Sequence, residues 1–133
     1  MRITLANVNS KAAISTFTGR MVTPLSLDPS DVCIEDVAHA LSNQCRFSGH
    51  TRGFYSVAQH SVLVARMLRD TPHELWGLLH DAQEAYLQDV ARPLKEDRYF
   101  GQAYRGAELR AARVVANAFG LTWPVPPEVK DAD

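Results

Sequence analysis

The chain has little net charge, few cysteines and no long apolar run. Its 14 basic and 15 acidic residues leave a formal charge of -1 and a pI near 6.5. That excludes the basic field through which proteins hold nucleic-acid polymers nonspecifically, and points to small-molecule partners. No stretch approaches the ~20 apolar residues that span a bilayer, so no membrane partner is expected. The opening MRITLANVNSKAAI lacks the apolar centre of a signal peptide. Cys33 and Cys45 stand twelve positions apart, outside any CxxC spacing. A reduced, cytoplasmic setting with both thiols as small buried apolar residues is the expectation. Repeats and low-complexity tracts are absent. What remains is an ordinary globular composition, 46% hydrophobic and 22% charged over 133 residues, enough for one domain with one core.

Strand signals are few, so the expected class is all-α. Residues 1–30 read as an irregular segment in which Ile14 to Phe17 and Met21 to Thr23 can pair as a short hairpin around Thr18-Gly19-Arg20. Residues 31–133 read as one helical domain. Asp28-Pro29-Ser30-Asp31 offers caps for a helix over about 33–43, where Ile34, Val37, Ala38 and Leu41 recur at helical spacing. A loop over 46–53 leads to a second helix, about 55–69, with Val57, Val64, Met67 and Leu68 apolar. Thr71 as N-cap and Pro72 at the first helical position begin a third, reaching about 88, with Leu75, Leu78, Leu79, Ala82 and Tyr86 apolar. Pro93 interrupts. A fourth helix, about 101–119, stops at Gly120, and a fifth begins near Glu128 after the stiff Trp123 to Pro127 linker.

His60, on the second helix, lies about ten residues before the turn near 70–71, and His80, on the third, about ten after it. Short connections favour antiparallel neighbours. At a rise of ~1.5 Å per residue the imidazoles come out level. Asp81 adds a hard oxygen beside two nitrogens, a mixture suited to Mn, Fe, Co, Ni or Zn rather than Ca. Glu84 is i+4 from His80 and i+3 from Asp81, on the same helical face, where a general base for an activated water would stand. A His-Asp pair on a helix is more often a surface pair. Spacing alone therefore makes this a candidate metal site.

Three blocks carry more. Tyr55-Ser-Val-Ala-Gln-His60-Ser, Leu78-Leu-His80-Asp81-Ala-Gln-Glu84 running on to Asp89, Pro93 and Lys95, and Val129-Lys-Asp-Ala-Asp133 resemble HD-domain phosphohydrolases. Within that superfamily they are similar to the bacterial 5′-deoxynucleotidases and to phage HD enzymes, some of which are dATP triphosphohydrolases. The resemblance covers roughly 34–133 and implies a single HD-domain helical bundle. It implies one divalent metal per chain, Mg included among the candidates, held by His60, His80, Asp81 and Asp133. It places the acidic catalytic residue at Glu84, a second site carboxylate at Asp89, and the phosphate-binding Arg with its following aromatic at Arg46-Phe47. In the family the last helix continues past its Asp, whereas Asp133 is the final residue here, on a helix end expected to fray. Either the chain is cut short or the site closes differently. Asp131, about 200° round a helix, would be excluded from the same site. The family also often has a small residue where Gln88 stands.

Two carboxylate ligands cancel a divalent ion, so a phosphate dianion requires further cations: Arg46 first, then Arg52, Arg92 and Lys95. His50 stands in the same loop, to touch phosphate or brace the loop, and Phe47 is placed for a sugar or base, or for the core. The leading expectation is a cytoplasmic, homo-oligomeric, metal-dependent phosphohydrolase that cleaves deoxynucleoside 5′-monophosphates to nucleoside and phosphate. A dATP-type triphosphohydrolase and a catalytically inactive nucleotide-binding module are the alternatives.

Overall fold

A computed structural model describes residues 12–133, and within that range it is mostly helical with one small antiparallel hairpin. The opening stretch read above for a leader lies outside the described residues. Strands β1 (Ile14–Ser15) and β2 (Met21–Val22) pair in the register Ile14 to Val22 and Ser15 to Met21, as the turn signals predict. The hairpin is tied down from its turn: Thr18 donates from N and Oγ1 to the buried Asp36 carboxylate at 2.7 and 3.0 Å.

The helices are α1 (Ile34–Ser42), α2 (Val57–Met67), α3 (Glu74–Leu79), α4 (Glu84–Leu87), α5 (Arg92–Lys95), α6 (Phe100–Ala118) and α7 (Pro127–Ala132). Several expectations need correcting. The expected third helix breaks at His80: α3 and α4 are separated by turns whose amides bond three residues back, as in Ala82 to Leu79 and Glu84 to Asp81. It also starts late. Thr71 Oγ1 does accept from a backbone amide, that of His73, but it closes a turn after left-handed Asp70, and α3 begins only at Glu74. The capping box at Asp28 and Asp31 serves its own 3-10 turn, Pro29–Asp31, and α1 follows without a side-chain cap. Met67, Leu75, Leu78, Ile34 and Ala38 face solvent rather than the core, and the two cysteines are half-buried. The capping box of Ser56 and Gln59 at the start of α2 is well formed.

Two apolar clusters flank the centre of α2. Val57 packs with Val37, Leu41, Leu79, Tyr86 and Val115; Val64 packs with Leu68, Trp76, Ala116 and Val129. His60 stands between Val57 and Val64 on the same face, so the helix that builds both clusters aims an imidazole between them. Gly77 sets how closely α3 approaches. A Cβ there would meet Leu68 Cδ1 at 2.8 Å and the Ala65 Cα at 3.2 Å, so a larger residue would turn the Leu68 end aside and move the two helices apart by a few tenths of an ångström.

Candidate metal centre

His60, His80, Asp81 and Asp133 offer four ligand atoms within 4.8 Å of one another. Each comes from a different structural device: His60 from mid-α2, His80 from the C-terminal end of α3, Asp81 from the turn after it, Asp133 from the end of α7. The imidazole centroids are 5.2 Å apart at 68°. Asp133 Oδ1 accepts from His60 Nε2 at 2.6 Å and lies 3.3 Å from His80 Nε2. Asp81 Oδ2 lies 3.1 Å from His80 Nε2 and 3.8 Å from His60 Nε2. Asp133 is thus engaged by both imidazoles at the helix end expected to fray, although it is exposed like Asp131, which is not part of the cluster.

The His80 surroundings favour a cation. Its Nδ1 lies 2.7 Å from the Gly77 carbonyl, which can only accept, so the Nδ1 proton is held there. In the neutral ring Nε2 then carries the lone pair, and it faces two carboxylate oxygens with no directional hydrogen bond to either. Three electron-rich atoms converge on one point. A proton relieves this: burial opposes the charged ring, but the Asp133 and Asp81 carboxylates outweigh it and raise the imidazole to about 10. A metal ion relieves it equally, with the second-ring hydrogen bond that orients ligand histidines already in place. The His60 hydrogen bond and the nearby His80 imidazole hold Asp133 well below the usual carboxylate range, against burial. The donor set, two nitrogens and two carboxylates, fits a divalent transition ion.

Beside this cluster opens a cavity of about 720 Å³, within the range of small-ligand sites. Glu84, Asp89, Arg46, Phe47, His50, Arg92 and Lys95 all line it, together with Asp81 and Asp133. Arg52, the remaining cation considered above, does not. Glu84 is buried and its Oε2 has no partner. Burial first, then the Asp81 and Asp89 charges, push its carboxyl far up, with Lys95 opposing from 3.9 Å. Asp89 is raised for the same reasons, burial and then Asp81, with Arg46 and Lys95 opposing. Lys95 is itself paired with Glu108 at 2.9 Å. That glutamate was not singled out from sequence, because its partner lies across a helix boundary. Phe47 and His50 are exposed at the rim, Phe47 at 58%, which settles it outside the core. The Arg46 guanidinium stacks 4.8 Å from the Phe47 ring and 5.8 Å from Tyr55. His39 and His73 stand apart from the cluster, His39 stacked on Phe17 and His73 3.6 Å from Glu128.

Arg46 Nη1 donates to His60 Nδ1 at 3.0 Å. That contact and ligation of a metal through His60 Nε2 exclude each other. A neutral ligand histidine keeps its proton on Nδ1, and a guanidinium has no lone pair to receive it.

Gln44 is a second residue that carries no signal in the sequence. Its Nε2 donates to the Glu84 carbonyl and its Oε1 accepts from the Asp89 amide, both at 3.0 Å. A lone glutamine after a helix carries no signal of a partner forty residues away.

Among the described residues no helix is long and apolar enough to cross a membrane. No family model matches the chain. It is similar to the uncharacterized protein YfdR of Escherichia coli K12, at 39% identity over 122 residues, 90% of this chain and 65% of that protein. It is also similar to an uncharacterized protein of Rhodobacter capsulatus, at 38% identity over 122 residues, 86% of this chain and 61% of that protein. The chain therefore spans less than two thirds of the length of either relative.

Proposed function

We propose that the chain is a metal-dependent phosphohydrolase of the HD-domain type, cytoplasmic and homo-oligomeric, acting on deoxynucleoside 5′-monophosphates. The observation that carries this reading is that the two carboxylates of the two-His, two-Asp cluster line one cavity together with a buried unpaired carboxylate and an arginine.

A bound divalent ion would supply Lewis-acid polarisation of a phosphoryl oxygen and a lowered water pKa. His60, His80, Asp81 and Asp133 would hold it. Glu84 is the proton acceptor. Part of its elevation, after burial, comes from the Asp81 charge, so with that charge compensated by a held cation Glu84 would lie lower, towards the neutral range that a general base needs. Arg46 takes phosphate. Once His60 keeps its proton on Nδ1, the guanidinium is released towards the cavity that it already lines. Phe47 offers an exposed face for the sugar or base, and His50 a polar contact at the rim. Asp89 keeps the far wall acidic, so the phosphate is drawn to the Arg46 side. Lys95 steadies Glu84.

A triphosphohydrolase reading draws on Arg92 and Lys95, which line the same cavity as Arg46 and add cations for a longer anion. Arg52 lies outside that lining, and Lys95 already serves Glu108, which favours the monophosphate. Purified protein incubated with dAMP and with dATP in Mn²⁺, Co²⁺ or Mg²⁺ decides the matter by chromatography of the products. Orthophosphate and deoxyadenosine from dAMP are expected. Triphosphate and deoxyadenosine from dATP, with dAMP untouched, would transfer the reading to the triphosphohydrolase. Turnover of neither, with metal bound, would leave a binding module.

A further inference from the structure

We infer that Gln44 is a positioning residue that fixes the carboxylate turn Glu84–Asp89 against the phosphate side of the cavity; this rests on the phosphohydrolase reading above. Helix α4 is a single turn of four residues, too short to hold itself in water. It ends at Gln88, whose φ of +78° and ψ of 150° throw the chain into a sharp exit before Asp89. The two carboxylates of the far wall therefore stand at either end of a segment with little stability of its own. The Gln44 carboxamide spans that segment. Its NH₂ donates to the carbonyl of Glu84 and its oxygen accepts from the amide of Asp89, so one side chain closes both ends.

The other end of Gln44 is equally committed. Its own carbonyl accepts from the Val57 amide at 3.0 Å, at the start of the helix that carries His60. Two residues on, Arg46 donates its backbone amide to the Tyr55 carbonyl and its side chain to His60. Gln44 thus joins the strand of chain bearing the arginine, the helix bearing a ligand histidine, and the turn bearing the proposed base. A methylene less would leave one of the two bonds unmade. A carboxylate would keep the acceptor for Asp89 and lose the donor to Glu84.

Gln44→Met removes both bonds at similar volume, and Gln44→Glu removes one. With the metal-loaded protein and dAMP as substrate, Gln44→Met is expected to lower kcat by roughly 10- to 100-fold, the scale of small misplacements at a reacting centre. KM should change little and metal content should stay at the wild-type level. Gln44→Glu should fall between wild type and Gln44→Met. Independently of activity, amide exchange at Asp89 should quicken by roughly tenfold or more in Gln44→Met and much less in Gln44→Glu. Wild-type kcat in Gln44→Met, or unchanged Asp89 exchange in it, overturns the inference. So does loss of metal in parallel with rate, which would make Gln44 a general support of the fold. Should Gln44→Met fail to fold, Gln44→Glu carries the test: kcat equal to wild type there is the overturning result, whatever the Asp89 exchange, because that variant keeps the acceptor for the Asp89 amide. If wild type itself cleaves no phosphate ester, the functional reading fails, while the Asp89 exchange result still decides whether Gln44 holds the turn.

Discussion

His60 and His80 stand on helices packed around Val64, Leu68 and Trp76, whereas Arg46, Phe47 and His50 stand on a loop with three consecutive left-handed residues, Phe47, Ser48 and Gly49. The first wall, the histidine side that stands behind Asp81 and Asp133 of the cavity lining, is fixed many times over: by apolar burial, by Gly77 allowing close helix contact, and by the Gly77 carbonyl on His80. The second wall hangs on a few polar contacts, among them those of Gln44, the Arg46 amide to the Tyr55 carbonyl and the Arg46–His60 bond. A redundant wall should lose its function all at once when a ligand atom is removed. A sparse wall should lose it by degrees.

The largest effect is expected on the first wall. His80→Ala or Asp81→Ala should abolish stoichiometric binding of a divalent transition ion, since three remaining ligands make a poor site. Elemental analysis after dialysis checks this, and full metal content in the double variant would end the assignment. Glu84→Gln comes next. It should retain metal and lose roughly 10²-fold or more in kcat, the scale of general acid–base help. Metal falling together with rate would make Glu84 a ligand instead.

Arg46→Ala tests the second wall. The loss of a charge-assisted phosphate contact is worth about 1.5–3 kcal/mol, or roughly 10- to 150-fold in kcat/KM. Metal affinity should not fall, and should rise if anything, because the competing contact to His60 Nδ1 is gone. Weakened metal binding in Arg46→Ala would show that the guanidinium supports the histidine rather than competing for it.

Protein stripped with a chelator offers a pH test that separates the walls again. His80, raised to about 10, contributes stability that is complete below its unfolded value of about 6.5 and is lost as pH rises through 10. Asp133, lowered, contributes stability that is present above about pH 4 and lost as pH falls. Glu84, raised, is the opposite of a stabilising carboxylate: above about pH 4.5 the unfolded chain ionises freely and the folded one does not, so stability declines as pH rises. The stripped protein should therefore be most stable on the mildly acidic side and weaken towards pH 9, by at most about 1.4 kcal/mol per pH unit for each proton. Metal should flatten the His80 part of that slope by replacing its proton, and Glu84→Gln should remove the other part. Stability of the stripped protein rising from pH 6 to 9 would contradict both assignments.

Much of the first wall was legible in the sequence. Helical spacing located α2, and equal distances from the 70–71 turn put His60 and His80 level, which the 5.2 Å ring separation bears out. The break after His80 was not legible, because Leu78, Leu79, Ala82 and Tyr86 keep a helical period through turns that bond three residues back. Periodicity reports which side chains turn inward, and a chain of tight turns turns them inward almost as well. The outward positions of Leu75, Leu78 and Met67 show the same limit, for an apolar residue on a short helix, or at the last position of a longer one, has no fixed claim on the core. The place of Asp133 in the cluster rests, in the sequence, on likeness to a known motif; nothing in local sequence says which of Asp131 and Asp133 meets the histidines. Gln44 was invisible because its two partners are remote in sequence and are both backbone groups.

The smallest expected effect is also the one that isolates backbone geometry from chemistry. Gln88 sits at φ +78° and ψ 150°, a region close to one that glycine alone enters without strain and that costs other residues of the order of 1–3 kcal/mol. Its side chain is exposed, and the Tyr104 hydroxyl bonds its carbonyl, which any residue supplies. Gln88→Gly therefore removes strain without removing a side-chain contact. Against this stands the extra freedom of glycine in the unfolded chain, about 0.5–1 kcal/mol. The balance should be a stabilisation of about 1 kcal/mol, or roughly 3–5 °C in Tm for a chain of this size. Metal content should be unchanged, because the ligands lie on the other wall. Gln88→Val should move Tm the opposite way and by more, since a branched Cβ is strained hardest at positive φ. If Gln88→Gly lowered Tm, or if Gln88→Val left it unchanged, the turn into Asp89 would have to be drawn with a different backbone, and the span closed by Gln44 with it.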